Sequence, residues 1–118
     1  MYKLHEQRLG PEPVSKTKDS AKMPGGVLAI SANGELAGSG ILWAITGDGN
    51  ANWNSVPGVL RAFDAMDLSK EIWNSGQNAE RDDLGLVAKF NTPVVANGKV
   101  YVATFSKEVA VYGLLSER

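Results

Sequence analysis

A repeated succession of short apolar runs is the feature that most restricts how this chain folds. Pro24 precedes a run that ends in Ala32-Asn33-Gly34, and Pro93 precedes one that ends in Ala96-Asn97-Gly98. Each is followed by a second run holding an aromatic, Trp43 in residues 41–45 and Tyr101 in residues 100–103, and then by a third, residues 59–63 and 109–112. The first copy continues into a fourth run that ends at Trp73, and the second has no such run before Arg118. Asn-Gly between two apolar runs is the strongest short hairpin signal, because both central residues of a type I′ turn need positive φ. Four short antiparallel strands, repeated, are the grammar of a propeller blade. The expected fold is therefore all-β, with about two four-stranded antiparallel blades. A β-sandwich of seven or eight strands is the alternative that run lengths alone allow, and the repeat favours blades.

Composition supports an ordinary globular chain. Of 118 residues, 43% are apolar and 21% charged, which is far from the low-hydrophobicity signature of disorder. A chain of this length buries about two thirds of the surface it exposes when unfolded. Thirteen glycines fit many tight turns between short elements. The net charge is −1 and the lysines and arginines are scattered, so no nucleic-acid partner is expected. No apolar stretch approaches the ~20 residues of a membrane helix, so a soluble chain with no membrane partner is expected. The N-terminus lacks the apolar core of a secretory signal. Without cysteine there is no disulfide framework or thiolate chemistry, and the single histidine, His5, cannot build a multi-histidine metal site.

Four segments follow from the run pattern. Residues 1–23 are a polar N-terminal segment with an extended stretch at residues 12–17 that can serve as an outer or swapped strand. Residues 24–76 are the first blade, residues 77–91 an inter-blade loop with a helical turn near residues 78–86, and residues 92–118 a second blade of three strands. Completing that blade with residues 12–17, from the same chain or a neighbour, gives two full blades per chain.

The stretch Ala62-Phe63-Asp64-Ala65 through Lys70-Glu71-Ile72-Trp73 resembles the tryptophan-docking motif of quinoprotein-type propellers, where an Ala-x-Asp turn is followed by Thr-Gly-Lys and a Trp. Residues 92–102 resemble the inner hairpin of a following blade. With Pro24-Gly25-Gly26 and Ser31-Ala32-Asn33-Gly34, the likeness to the C-terminal part of bacterial proteins with pyrroloquinoline-quinone-like repeats covers residues 24–115. The motif has Leu68-Ser69 in place of Thr-Gly and one extra residue before Trp73, so its turn is reshaped. The resemblance implies structural docking roles for Asp64 and Trp73: Asp64 closes its turn by accepting backbone N–H groups. Trp73 presents a broad apolar face and an indole N–H to the next blade, and it is expected to be largely buried, as is Trp43. Complete propellers of this type have more blades than this chain encodes. The resemblance thus implies either the remaining blades of a parent propeller or a ring of several chains, four if the ring has eight blades, and a parent family found in the periplasm or secreted.

Chemistry-bearing residues are sparse, and no catalytic set is identified. Quinone-dependent dehydrogenases hold pyrroloquinoline quinone and calcium on the propeller axis with residues from many blades. That cofactor pair is implied only if the resemblance extends to function, and none is expected for this chain alone. Arg81, Asp82 and Lys89, around the inter-blade loop, are the candidate binding residues, against the ordinary alternative of solvated loop charges. Asp48, Asn50 and Asn52 alternate like the first ligands of a calcium loop, but Trp53 stands where the EF-hand pattern needs glycine and Val59 where it needs glutamate. Turn formation is the ordinary role of such asparagines. The expected function is a structural and interaction module; the alternatives are part of a quinone-dependent dehydrogenase, or a calcium- or sugar-binding surface.

Overall fold

The computed structural model describes residues 1–115. It is all-β, with antiparallel sheets of two, four and three strands. The strands are β1 (Tyr2–His5), β2 (Arg8–Pro13), β3 (Val27–Ser31), β4 (Ile41–Gly47), β5 (Gly58–Asp64), β6 (Asp67–Asn74), β7 (Val94–Ala96), β8 (Lys99–Ala103) and β9 (Val109–Gly113). One helical turn, α1 (Ala79–Asp82), follows a 3-10 turn at Ser75–Asn78, where a loop with a helical turn was expected. Among the described residues no helix is long and apolar enough to cross a membrane.

Strand order in the four-stranded sheet is β3-β4-β5-β6 and in the three-stranded sheet β7-β8-β9. Each sheet is therefore a meander of consecutive strands, and no strand passes from one to the other. The first strands of the two sheets, β3 and β7, lie near one another. Bridges from Pro57 to Leu86 and from Val87 to Thr104 bring the Gly47/Gly58 end of the first sheet to the same side as the Ala103/Val109 end of the second.

Period-two alternation decides which side chains meet. The register Ala29↔Trp43↔Ala62↔Trp73 and Val27↔Ile45↔Leu60 sets one face of the first sheet. Val95, Val100, Val102, Ala110 and Tyr112 share one face of the second. These faces close on each other, with Leu84 and Val87 of the connecting segment, to form the core of Ile45, Ala51, Leu60, Leu84, Val87, Val100 and Val102. Leu60 and Leu84 are fully buried. A serine also sits in this core: Ser75 is buried, and its hydroxyl accepts the Leu60 N–H at 3.1 Å, which satisfies an otherwise costly polar group.

Two expectations are revised. Within the chain, residues 12–17 do not complete the second sheet: Glu12 and Pro13 end β2, which pairs with β1 as a separate hairpin. Its tight turn is made by Glu6 and Gln7, both at positive φ, two residues that announce no turn in sequence. Asn97-Gly98 is the expected two-residue turn, with φ of 50° and 69° and Ala96 paired to Lys99. Asn33-Gly34 lies between β3 and β4 but inside a longer loop, because Ser31 pairs with Ile41; of the pair Gly34 alone takes positive φ, and Ser39 Oγ accepts the Asn33 N–H. Trp43 and Trp73, expected to be largely buried, are of intermediate burial.

Candidate functional site

Asp64 and Trp73 do the local work their positions suggest. Asp64 Oδ1 accepts the Met66 N–H at 2.8 Å and closes the β5–β6 turn. Trp73, on the outermost strand of the first sheet, meets Tyr112 on β9 edge to face, with ring centroids 5.6 Å apart and planes at 62°. The contact is ring to ring, and the polar tether is supplied by Tyr112, whose hydroxyl donates to the Asp82 carbonyl at 3.1 Å. Burial, with the nearby Asp82 and Asp83 carboxylates, pushes the Tyr112 hydroxyl up to about 12, so it stays a protonated donor through neutral pH. Sequence reading identified Trp73 and missed Tyr112 as its partner, although Tyr112 is the aromatic of the equivalent third run.

Arg81 and Asp82 form a bidentate pair, with Nε and Nη2 each 2.6 Å from a carboxylate oxygen. Each holds the other charged: the Asp82 carboxylate raises the guanidinium, and the guanidinium lowers the carboxylate. The pair lines an open cleft of about 580 Å³ with Trp73, Glu108 and Tyr112. Lys89 is not in that cleft. Its ammonium donates to the Asn52 carbonyl at 2.7 Å, so the structure brings together only two of the three candidate binding residues.

That lysine also bears on the calcium reading. Asn50 Oδ1 is engaged by the Asn52 N–H at 2.9 Å, and the Asn52 carbonyl already faces a cation. Among the described residues no three His, Asp or Glu side chains gather to hold a metal. Within the loop of Asp48, Asn50 and Asn52, the Asn50 side-chain oxygen and the Asn52 carbonyl are thus each engaged by a hydrogen-bond donor of the chain itself. At its tip Trp53 is 86% exposed, a feature sequence reading treated only as a mismatch.

Each sheet also has an outer face turned away from the shared core, and on that of the first sheet Ala44 and Phe63 are buried while Leu28 and Ile30 are exposed. On the first sheet Leu28 and Ile30 of β3, Leu42, Ala44 and Thr46 of β4, and Val59, Arg61 and Phe63 of β5 alternate away from the core. Ile30 is 69% exposed. Residues 17–22 pass over this face and leave an open cavity of about 990 Å³, lined also by Leu68 and Glu71. Arg61 lies flat on it, bonded to Thr46 Oγ1 at 3.1 Å and to Glu71 at 2.7 Å. At its edge Asp67 accepts from Ser69 and from the Ser15 hydroxyl; the Ser69 bonds above all hold its carboxyl down at about 2. On the second sheet Val94, Tyr101, Ala103, Val109 and Val111 face outward, and Val94, Val109 and Val111 are each more than half exposed. No protein-family model, curated protein or solved structure matches this chain.

Proposed function

We propose that the chain is a structural and interaction module, two blades of a quinoprotein-like β-propeller whose outer faces dock onto other blades, with no catalytic centre of its own. One observation carries the reading: each meander buries one face in the shared core and turns a second, largely apolar face away from it, where Leu28, Ile30, Val94, Val109 and Val111 are more than half exposed while Ala44 and Phe63 are buried. Contiguous apolar faces of this kind on a soluble protein mark contact surfaces, and repeat units need neighbours to cover them. The meander connectivity supports blades over a sandwich, whose Greek-key strands pass between sheets.

The test is apolar-dye binding combined with particle mass. A chain of this kind either assembles or binds 8-anilinonaphthalene sulfonate on its open faces; a monomer that binds none overturns the reading. Adding pyrroloquinoline quinone and calcium is expected to produce neither a bound cofactor spectrum nor dye reduction, and positive results would favour the dehydrogenase alternative. A second reading, a sugar-binding surface, rests on Trp53, which stands exposed among Asn50, Asn52 and Asn54. An apolar ring flanked by amides suits the face of a pyranose. Loss of sugar binding in Trp53→Ala would support it, and wild-type protein that binds no sugar would remove it.

A further inference from the structure

We propose that the partner of each open face is a second copy of this chain, the outer face of β7-β8-β9 on one copy seating on the outer face of β3-β4-β5 on the next. This rests on the module reading and names its partner.

The repeat itself supplies the geometry. In the first sheet Trp43 pairs with Ala62, Ile45 with Leu60 and Ile41 with Ser31. In the second, Tyr101 pairs with Val111, Ala103 with Val109 and Lys99 with Ala96. Tyr101, Val109 and Val111 therefore occupy the positions of Trp43, Leu60 and Ala62, which in the first sheet are the face that holds a neighbouring sheet. The face so held is made of Val95, Val100, Val102, Ala110 and Tyr112. Its counterparts on the first sheet, by the same registers, are Ile30, Leu42, Ala44, Arg61 and Phe63. The chain thus carries at its two ends the counterparts of the two halves of the interface it already contains: on the second sheet Val109 and Val111 are exposed, and on the first Ile30 is exposed while Ala44 and Phe63 are buried and residues 17–22 pass over the face. Stacking copies continues that internal interface without a new kind of contact.

Charge agrees with this pairing. Lys99 is the charged side chain on the outer face of the second sheet, at its Ala96/Gly113 end. The corresponding end of the first sheet carries Asp64 and Asp67, with Glu71 beside them, against Lys70 and Arg61. The two sheets inside the chain pack with like ends together, so copies stacked the same way bring Lys99 to the acidic end. Arg61 stands where the second sheet has Ala110, and its ion pair with Glu71 lets it offer an aliphatic stem rather than an unpaired charge. Docking requires residues 17–22 to move aside from the cavity they span.

Area sets the strength. Three strands of about five residues cover roughly 15 by 17 Å, well under the ~800 Å² per partner of a standard stable interface. Each contact is weak, and the contacts are heterologous, so assembly is concentration-dependent until a ring closes.

The experiment uses sedimentation of the full chain between about 10 μM and 1 mM together with two variants at exposed positions, Ile30→Lys on one face and Val111→Lys on the other. Wild type is expected to rise in mass with concentration. Each variant alone, confirmed folded by near-ultraviolet circular dichroism, is expected to associate on the order of 100-fold more weakly, because a charge is buried without a partner. Mixed together, the two variants retain one intact pair of faces and are expected to form one-to-one heterodimers that grow no further. A wild type that stays monomeric yet binds the apolar dye overturns this inference and leaves the module reading standing. Assembly unaffected by both variants, or a mixture that gives no heterodimer, overturns the head-to-tail pairing.

Discussion

Trp73 joins the sheets from the outermost strand of the first, and its half-burial sets what the contact is worth. Full removal of a buried tryptophan costs about 3 to 5 kcal/mol. An edge-to-face pair adds about 0.5 to 1.5 kcal/mol beyond area. With part of the ring in solvent, Trp73→Ala is expected to destabilise by about 2 to 3 kcal/mol, read as a lower denaturant midpoint at unchanged slope. An unchanged midpoint would mean that Leu60, Val100 and Val102 hold the sheets without it. Its partner gives a prediction at alkaline pH. Tyr112 is raised from an ordinary 10 to about 12 by burial and by the Asp82 and Asp83 carboxylates, so the folded chain keeps a proton that the unfolded chain loses. Its contribution is fully present below pH 10 and declines between pH 10 and 12. Tyr112→Phe is expected to flatten that part of the stability profile and to remove the tyrosinate absorbance that develops near pH 12. The same alkaline decline in the variant would place its origin elsewhere.

At the level of elements, the two Asn-Gly pairs separate local chemistry from context. Asn97-Gly98 has a two-residue turn to fill and both residues sit at positive φ. Gly98→Val is therefore expected to cost about 3 kcal/mol, the upper range for a residue forced into that region. Gly34 also takes positive φ, but its longer loop can reroute, and Gly34→Val is expected to cost about 1 kcal/mol. Equal losses in thermal unfolding would contradict the difference in turn length. The sequence made β3 to β5 and β7 to β9 legible because each holds a short apolar run closed by turn residues, whereas the polar start of β6 hid all of that strand but its end at Glu71–Trp73. It concealed β1 and β2, whose turn is Glu6-Gln7 and whose strands are exposed almost throughout. It also concealed loop length, since Asn-Gly reports a tendency to turn and not where pairing resumes. The site was legible where a side chain's role is local, as with Asp64 and its own turn. Roles that depend on another sheet were not, and Lys89 bonding to Asn52 or Tyr112 meeting Trp73 could only be seen once the chain was folded.

In the whole molecule the two larger sheets share one core, and the N-terminal hairpin stands apart from it. Tyr2, Leu4 and Leu9 are each at least half exposed, and none belongs to the core. The hairpin is followed by a polar tie, the Ser15 hydroxyl donating to Asp67 at 3.1 Å, which residues 1–13 do not themselves provide. An isolated two-stranded hairpin is marginal in water, so its amides are expected to exchange hydrogen early, well before those of β4, β5 and β8. Deleting residues 1–13 is then expected to change global stability by no more than about 1 kcal/mol, the effect of altering exposed positions that touch no core residue. Assembly through the outer faces, which lie on β3 to β5 and β7 to β9, is expected to survive the same deletion. A drop well beyond that, or loss of the concentration-dependent mass, would mean that the hairpin supplies an edge to a neighbouring sheet, the strand-lending role first read into residues 12–17.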